Sequence, residues 1–289
     1  MPELPEVETV RRGLEKEIVS ARISSAKVLR PSSVGYPSVD EFTRKLKGRS
    51  FRKIRRRGKY LLFDLDDGSG MAAHLRMSGR FLVLTGKVKE PPHTRISIKL
   101  EDGRRLIFDD MRVFGRVWFV PKDMDFEEVV PTLKLLGPEP LDGVDAKLLK
   151  EKFENKSQVI KTALLDQMII AGVGNIYADE SLHRAGIHPQ RRAKDLSLPE
   201  LKRLGKEISS VLNTAIASGG SSLRNYTNSS GVNGNYQNEA LVYGRKGCPC
   251  KFCGDPIERA KINGRSSHFC PNCQPLSGQW VKKNSKAKN

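Results

Sequence analysis

Four cysteines near the C-terminal end constrain the fold of this 289-residue chain more than any other feature. Cys250 and Cys253 form one C-x2-C pair, and Cys270 and Cys273 form a second pair after sixteen intervening residues. Two such pairs present four thiolates tetrahedrally to one Zn²⁺ and leave no coordination position open for a substrate. The spacing therefore predicts a zinc ribbon with one structural zinc ion per chain. Cys248 makes only a C-x-C with Cys250, and we interpret it as a spare thiol.

The segment between the two cysteine pairs is basic. It reads ERAKINGRSSHF (258–269), which predicts a hairpin with Gly264 in its turn. Arg265 follows that glycine, at a position where a side chain can point outward. Zinc ribbons with a basic tip bind either nucleic acid or protein, and the sequence of the ribbon alone does not decide which class of partner it binds.

The charge of the whole chain favours a polyanionic partner. It contains 51 Lys and Arg against 33 Asp and Glu, which gives a formal net charge of +18. A surplus of this size points to nucleic acid first and to an anionic membrane second. No segment approaches the ~20 apolar residues of a membrane span, and the charged first residues do not resemble a signal peptide. We therefore expect a cytoplasmic protein whose cysteines are metal ligands or free thiols.

Hydrophobic periodicity divides the chain into two parts. After an opening helix, the first 120 residues mainly alternate between apolar and polar side chains, which is typical of strands. Strands are predicted over KYLLFDL (59–65), MAAHLRM (71–77), RFLVL (80–84), RISIKL–EDG–RRLIF (95–108) and GRVWFV (115–120). These strands predict a β-sandwich or barrel.

The second part begins after the connector GPEPLDG (137–143) and has segments of helical length. Helices are predicted over 146–153, 157–170, 175–186 and 198–217. The Gly/Ser/Asn-rich segment 218–237 has no periodicity, and it is either a flexible linker or a functional mobile loop. The lysine-rich end WVKKNSKAKN (280–289) is predicted to be disordered.

Two of the helical segments are joined by the turn AGVGNIYADES (171–181). Its glycines allow the backbone to approach a ligand closely, and Asn175 is a good helix N-cap. Backbone N–H groups at the start of a helix bind phosphate. A turn that binds nothing fits the same residues, so the pattern leaves both readings open.

The chain begins MPELPEVETVRRGL, with Pro2 and Glu3 directly behind the initiator methionine. Apolar residues such as Val7, Val10 and Leu14 recur at helical spacing, so a buried helix face is expected to hold the terminus against the protein. From these residues alone, the terminus is either packed and inert or functional.

Five separated motifs extend from the N-terminus to the second cysteine pair. They are PELPEVE (2–8), RRGKYL (56–61), MRVFG (111–115), GVGNIYADE (172–180), and VYGRKG (242–247) with GRSSHFCPNCQ (264–274). In this order they resemble the bacterial formamidopyrimidine-DNA glycosylases, which remove oxidised purines from DNA. The related endonuclease VIII branch typically has Gly where this chain has Leu4, so the resemblance points to the purine branch.

The resemblance implies an α+β fold with two domains: an N-terminal β-sandwich with a catalytic N-terminal helix, then a helix–two-turn–helix domain with the zinc ribbon. The implied divisions are a catalytic domain at 1–132, a linker at 133–143, a helical domain at 144–240 with the mobile loop 218–237, a zinc finger at 241–275 and a basic tail at 276–289.

The resemblance also implies a mechanism. Met1 is removed, the Pro2 amine attacks C1′ of the damaged nucleotide, and the resulting iminium promotes strand cleavage by β,δ-elimination. The chemistry suits the residue, because an α-amino group titrates near ~8, well below lysine. Glu3 is the implied proton donor, and Lys59 and Arg265 are implied proton donors that also contact phosphates.

Further family positions imply contacts with DNA. They are His74, Met77, Arg112, Phe114, Lys161, Asn175 and Tyr243. The resemblance assigns His74, Asn175 and Tyr243 to phosphates, and it assigns Lys161 with the loop 218–237 to the surroundings of the flipped-out base. Met77, Arg112 and Phe114 are expected to fill the hole that this base leaves. The implied partner is double-stranded DNA with an oxidised purine or an abasic site, bound by a monomer in the bacterial nucleoid.

Two other functions remain as alternatives. One is an endonuclease VIII-type glycosylase, which performs the same chemistry on oxidised pyrimidines. The other is a non-catalytic zinc-ribbon protein that only binds DNA, for which Pro2 would have no chemical role.

Overall fold

A computed structural model of the chain describes residues 1–221 and 234–276. Its contacts form two compact units: a first unit of Met1–Leu135 with Ala215–Gln237, and a second unit of Leu136–Thr214 with Asn238–Asn289. The described ends of the segment 218–237 therefore group with the first unit, whereas the sequence-based division put them in the helical domain. Residues 222–233 and all of the basic tail except Leu276 lie outside the described residues.

The first unit contains two β-sheets. Its helices and strands, in chain order, are α1 (Leu4–Ile18), β1 (Ile23–Val28), β2 (Val34–Tyr36), α2 (Val39–Leu46), β3 (Phe51–Arg57), β4 (Tyr60–Leu65), β5 (Gly70–His74), β6 (Gly79–Leu84), β7 (Thr94–Leu100), β8 (Arg105–Asp110), β9 (Arg116–Val120) and α3 (Phe126–Val129). The strand orders are β1-β7-β8-β6 in one sheet and β2-β9-β5-β4-β3 in the other. The predicted strands are present, and the arrangement is a sandwich rather than a barrel.

Aromatic side chains join the two sheets in one core. Phe63 of β4 packs edge-on against Phe81 of β6 with ring centroids 5.6 Å apart, and Phe81 contacts Phe108 of β8 at 5.1 Å. Each lies within an apolar run, which is why its strand was readable from the sequence. Aromatic pairs at these distances and angles stabilise the core by about 0.5–1.5 kcal/mol beyond their buried area.

Helix α1 closes this core. Val7, Val10, Leu14 and Ile18 are all fully buried, as the helical spacing predicts. The N-terminus is therefore a fixed part of the sandwich unit and not a frayed end.

The rest of the chain is mainly helical. Its elements are α4 (Ala146–Phe153), α5 (Ile160–Leu164), α6 (Asn175–Ala185), α7 (Leu198–Ala217), α8 (Tyr236–Glu239), β10 (Glu258–Ile262) and β11 (Arg265–Phe269). The helix predicted over 157–170 is shorter, because the Gln167 side chain hydrogen-bonds backbone groups of the following turn, including Gly172 N–H. In the described part of the chain, none of the helices combines the length and apolar character that a bilayer crossing needs.

Candidate active site and metal centre

Pro2 and Glu3 are buried at the start of α1, while Met1 is half exposed. Glu3 is the N-cap residue of the helix, and its N–H donates to Glu6 Oε2 at 2.8 Å in a capping box. A chain that begins at Pro2 would therefore hold its terminal amine at the positive end of the helix dipole. The predicted nucleophile and proton donor lie side by side on a rigid element.

The other Glu6 oxygen fixes the beginning of the Gly/Ser/Asn-rich segment. Ser221 N–H donates to Glu6 Oε1 at 2.7 Å. Gly220 has a φ of +80°, and a side chain there would bring its Cβ within 3.0 Å of the same oxygen. The described end of the predicted base-enclosing loop is thus tied to the first turn of α1.

Glu8 anchors α1 through three arginines. It accepts hydrogen bonds from Arg11, Arg12 and Arg56. Burial alone would raise the pKa of Glu8, but the hydrogen bonds and charges of these arginines outweigh it and lower that pKa below its ordinary value. The carboxylate is therefore ionised and holds Arg56 of β3 against the helix.

Arg56 also fixes the turn that carries Lys59. Its Nη1 donates to Gly58 O at 3.0 Å, within the two-residue turn between β3 and β4. Gly58 adopts a φ of +55°, which a side chain would disfavour. Lys59 is 6% exposed, although turn residues usually face solvent. The predicted phosphate contact is thus held in place by the same network that holds the N-terminal helix.

His74 ends β5 opposite Tyr60, and the two rings pack edge-to-face at 4.5 Å. Arg76 N–H donates to His74 Nδ1 at 2.9 Å, so the ring proton lies on Nε2. Burial, with smaller effects from the charges of Arg76 and Lys59, lowers the pKa of His74 to about 3. At neutral pH the side chain is an uncharged N–H donor.

The three side chains predicted to fill the DNA helix are exposed at the ends of β5 and β8. Met77 is 45% exposed and Phe114 is 48% exposed. The Arg112 guanidinium lies over the Phe114 ring, 4.9 Å from its centroid. Exposed apolar side chains next to a cation on a basic protein are suited to insertion between base pairs.

Asn175 is the first residue of α6, and Gly174 is the N-cap. The prediction of Asn175 as N-cap is therefore wrong by one position. Its Nδ2 donates to Ser266 O of β11 at 2.9 Å, so the side chain joins the helix start to the ribbon hairpin. Its buried Oδ1 has no hydrogen-bond partner among the described residues.

Lys161 lies inside the second unit with 1% exposure. Its Nζ is 2.6 Å from Asp179 Oδ1 and donates to Asn175 O at 2.7 Å. Asp179 also accepts from Ser267 Oγ and from His268 N–H, at 2.7 and 2.9 Å. This buried ion pair supports the Asn175 turn and the hairpin. Contact of Lys161 with a flipped-out base stays a prediction, and it would require the side chain to leave this pair.

Glu180 is a buried acid that the sequence reasoning missed. It accepts the backbone N–H groups of Leu241, Val242 and Tyr243 at 2.8–2.9 Å. Burial raises its pKa despite these bonds. Tyr243, a predicted phosphate contact, is thereby fixed with its ring 4.9 Å from that of His268. The only sequence feature that could have pointed to Glu180 is the pair of adjacent acids in ADES (178–181), which lie on one helix.

The ribbon hairpin has the turn that its Asn-Gly pair favours. Asn263 and Gly264 both have positive φ, +45° and +77°, between the paired residues Ile262 and Arg265. Such a pair forms the two-residue type I′ turn. The predicted hairpin is confirmed, and it presents the exposed Arg265 at the start of β11.

The four paired cysteines meet at one point. Their Sγ atoms all lie within 4.8 Å of one another, with Cys250–Cys273 at 3.8 Å and Cys253–Cys270 at 3.4 Å. Tetrahedral Zn²⁺ with ~2.3 Å bonds requires sulfur separations of about 3.8 Å. Burial raises the pKa of Cys270 to about 12. A bound cation is therefore needed to hold this side chain as a thiolate at neutral pH. The residues fit one structural zinc ion.

His183 of α6 supports this centre and was not predicted. Its Nε2 lies 3.5 Å from Cys250 Sγ, and its ring lies 4.9 Å from that of Phe252. Burial lowers the pKa of His183 to about 4, so the ring is neutral. With the proton on Nε2, the imidazole donates to the thiolate, an arrangement that holds metal ligands in place.

Three family models match the chain. The formamidopyrimidine-DNA glycosylase N-terminal domain matches residues 1–117, and the H2TH domain of the same proteins matches 136–227. A zinc finger found in FPG and IleRS matches 247–276. Together these models cover both halves of the chain and the cysteine cluster.

Curated relatives and solved structures agree with these models. The chain is 48% identical over 277 residues to the formamidopyrimidine-DNA glycosylase of Gloeobacter violaceus, covering 95% of this chain and 98% of that one. It is 44% identical over 278 residues to that of Desulforamulus reducens, with 95% and 99% covered. The solved complex between Lactococcus lactis Fpg and an abasic site containing DNA superposes with a TM-score of 0.87 at 39% identity, covering 94% and 99%.

Proposed function

The chain belongs to the formamidopyrimidine-DNA glycosylase family, and we propose that it is a base-excision-repair enzyme that removes oxidised purines from duplex DNA. Its substrates are 8-oxoguanine and formamidopyrimidines, and it then cleaves the strand as an AP lyase. Support comes from the curated relatives of nearly equal length and from Lactococcus lactis Fpg complexes with Fapy-dG or abasic-site DNA. We expect a monomer that works on the DNA of the bacterial cytoplasm.

The observation that carries the proposal is the buried Pro2–Glu3 pair at the start of α1. While Met1 is attached, the Pro2 nitrogen is an amide and cannot attack carbon. Removal of Met1 makes it a secondary amine, and an α-amino group with a pKa near ~8 is unprotonated more often at neutral pH than a lysine. The amine bonds to C1′ as the base departs, with Glu3 as proton donor for the opening of the sugar ring.

The strand breaks through the iminium that this ring opening leaves. Its positive charge makes the C2′ proton acidic, so loss of that proton expels the 3′ phosphate by β-elimination. A second elimination then expels the 5′ phosphate. Lys59 and Arg265 are the proposed proton donors for these steps.

We assign a set of polar side chains in each unit to contacts with the phosphates around the lesion. Lys59 and the neutral His74 serve in the first unit, and Asn175, Tyr243 and Arg265 serve in the second. Zinc, when bound, folds the ribbon that carries Arg265 and takes no part in the reaction.

The exposed side chains at the ends of β5 and β8 are the proposed replacement for the flipped-out base. Met77 and Phe114 fill the gap, and Arg112 contacts the base left opposite. Extrusion of the damaged nucleotide is required because its glycosidic bond is inaccessible in a stacked duplex.

A comparison of two lesions tests the proposal. Duplexes with 8-oxoguanine opposite C and with thymine glycol opposite A are incubated with the mature protein, and strand cleavage is followed. Faster cleavage at 8-oxoguanine is expected. Faster cleavage at thymine glycol would favour the pyrimidine alternative, which is a real competitor because a Lactococcus lactis Fpg complex contains an oxidised pyrimidine. Cleavage of neither duplex would leave the non-catalytic alternative.

The salt dependence of DNA affinity is expected to separate charged from neutral phosphate contacts. Each cation that displaces a counterion adds about 0.9 to the slope of log affinity against log salt. Arg265→Gln should therefore reduce the slope by about one. His74→Ala should weaken binding with the slope unchanged, since the pKa of His74, about 3, leaves the ring uncharged. Fluorescence anisotropy from low to moderate salt measures both, and an unchanged slope in Arg265→Gln would contradict the assigned contact.

Arg112→Ala is expected to slow excision of 8-oxoguanine opposite C and to narrow the preference for C over A. Orphaned cytosine offers two acceptors, N3 and O2, to the donor-only guanidinium, whereas orphaned adenine offers the acceptor N1 but also an exocyclic amino donor. One unpaired donor costs about 1–3 kcal/mol, roughly tenfold to a hundredfold in rate. Single-turnover rates measure the ratio. Arg112→Lys keeps the charge but lacks the fork, so it too should narrow the ratio. A ratio that survives both changes would place discrimination elsewhere.

A further inference from the structure

Asp110, the last residue of β8, has a fully buried carboxylate that joins the two loops carrying the exposed side chains. Its Oδ1 accepts from Ser78 Oγ and, at 3.3 Å, from Arg112 N–H. Its Oδ2 accepts from Gly115 N–H at 2.7 Å. The family motif places Arg112 on this loop but does not say what holds it.

The loop that Asp110 holds is strained. Val113 has a φ of +58°, a conformation that is costly for a β-branched residue. The same loop packs closely against the sheet at Gly115, where a side chain would bring its Cβ to 2.5 Å from the Phe108 ring. The bonds from Asp110 to Arg112 N–H and Gly115 N–H flank Val113 on both sides and oppose its relaxation.

Ser78 links the second loop to the same carboxylate. It donates its hydroxyl proton to Asp110 and accepts from Arg112 N–H at 3.0 Å. Met77 precedes Ser78 directly, so the positions of Met77 and Arg112 are fixed relative to each other by one buried acid.

We infer that Asp110 is a positioning residue that sets the opposite-base preference, an inference that rests on the proposed function. Its fully buried carboxylate acts through the backbone N–H of Arg112 and the hydroxyl of Ser78. A guanidinium fork discriminates C from A only when it is held in one orientation, since a loose fork can turn away from an opposing amino group.

Asparagine at position 110 tests the carboxylate with almost no change of volume. Asp110 accepts N–H donors on both oxygens, whereas an amide has one oxygen and one donating NH2. Asp110→Asn therefore leaves the N–H of Arg112 or that of Gly115 facing another donor. The strained turn loses one of its two restraints, and Arg112 loses its fixed orientation.

The measurement is the ratio of single-turnover excision rates for 8-oxoguanine opposite C and opposite A. Asp110→Asn should lower the ratio on the order of tenfold. Borohydride trapping on an abasic site that faces a second abasic site, where no base is read, should stay within about twofold of the unsubstituted protein. If Asp110 only stabilised the fold, Asp110→Asn would lower the fraction of active protein. Excision opposite C and opposite A would then fall together, and their ratio would not change.

Two further variants complete the test. Asp109→Asn changes the neighbouring buried acid, which bonds Arg80 instead of the loops, and should leave the ratio unchanged. Ser78→Ala removes one bond to Asp110 and should lower the ratio in the same direction, so it decides the matter if Asp110→Asn does not fold. A preference for C retained in Asp110→Asn, or in Ser78→Ala if the former does not fold, would overturn the inference. Absence of excision and trapping in the unsubstituted protein would instead overturn the proposed function.

Discussion

Borohydride reduction during turnover of an 8-oxoguanine duplex is expected to join the DNA covalently to Pro2. The iminium between the Pro2 nitrogen and C1′ is reduced to a stable amine, which survives proteolysis and can be located by mass spectrometry. A chain that retains Met1 or carries an N-terminal tag has an amide at this nitrogen, so no adduct should form. Strand cleavage should fall by about 10³-fold or more, the scale of losing a catalytic nucleophile.

Lys59 provides the matched control, because it is the other amine that the resemblance assigns to the chemistry. It is held in a fixed turn by Arg56 and Gly58, close enough to His74 to affect its pKa. Lys59→Met should slow the eliminations and weaken binding but should still give the adduct at Pro2. An adduct at Lys59, or trapping by the Met1-retaining chain, would refute Pro2 as the nucleophile.

The sandwich could be predicted because its signals are local. Strand β7 alternates apolar and polar residues, whereas β4 and β8 contain short apolar runs, and each of the three is bounded by turn residues. Helix α5 could not be delimited, because the apolar run around Met168–Ile170 looks helical. That run is instead a turn, held by the side chain of Gln167. A side chain that replaces backbone hydrogen bonds leaves no periodic signal.

The sequence proposed candidate site residues only at positions that match the family. The residues that hold those side chains escaped, because their partners are distant in sequence. Glu180 bonds backbone groups 61–63 positions away, and His183 reaches a cysteine 67 positions away. Lys161 is a second case: the resemblance implies a contact with the base, which stays a prediction, and gives no sign of the buried pair with Asp179 that the structure shows. Burial of a charged pair depends on tertiary packing, which no short motif encodes.

Loss of zinc is expected to abolish the ribbon without unfolding the sandwich. The hairpin of β10 and β11 has little apolar core beyond Val242, Ile257 and the cysteines themselves, so metal binding supplies its folding energy. For structural zinc sites this amounts to about 10–16 kcal/mol at pH 7. Cys250→Ser or Cys273→Ser should therefore release the metal and disorder the hairpin. The aromatic core of the first unit contains none of these residues and should keep its own unfolding transition.

The DNA affinity of these variants is the second readout. Unfolding of the hairpin removes Arg265 from its turn and takes Ser266 away from the Asn175 side chain. Loss of two proposed phosphate contacts should weaken binding by about 10–100-fold and reduce the salt slope. Cys248→Ser is the matched control: it removes an exposed thiol from the same loop, and it should retain one zinc ion and full affinity. Zinc content by mass spectrometry and affinity by anisotropy separate these cases. A metal-free Cys250→Ser protein with undiminished DNA affinity would show that the ribbon does not contribute to binding.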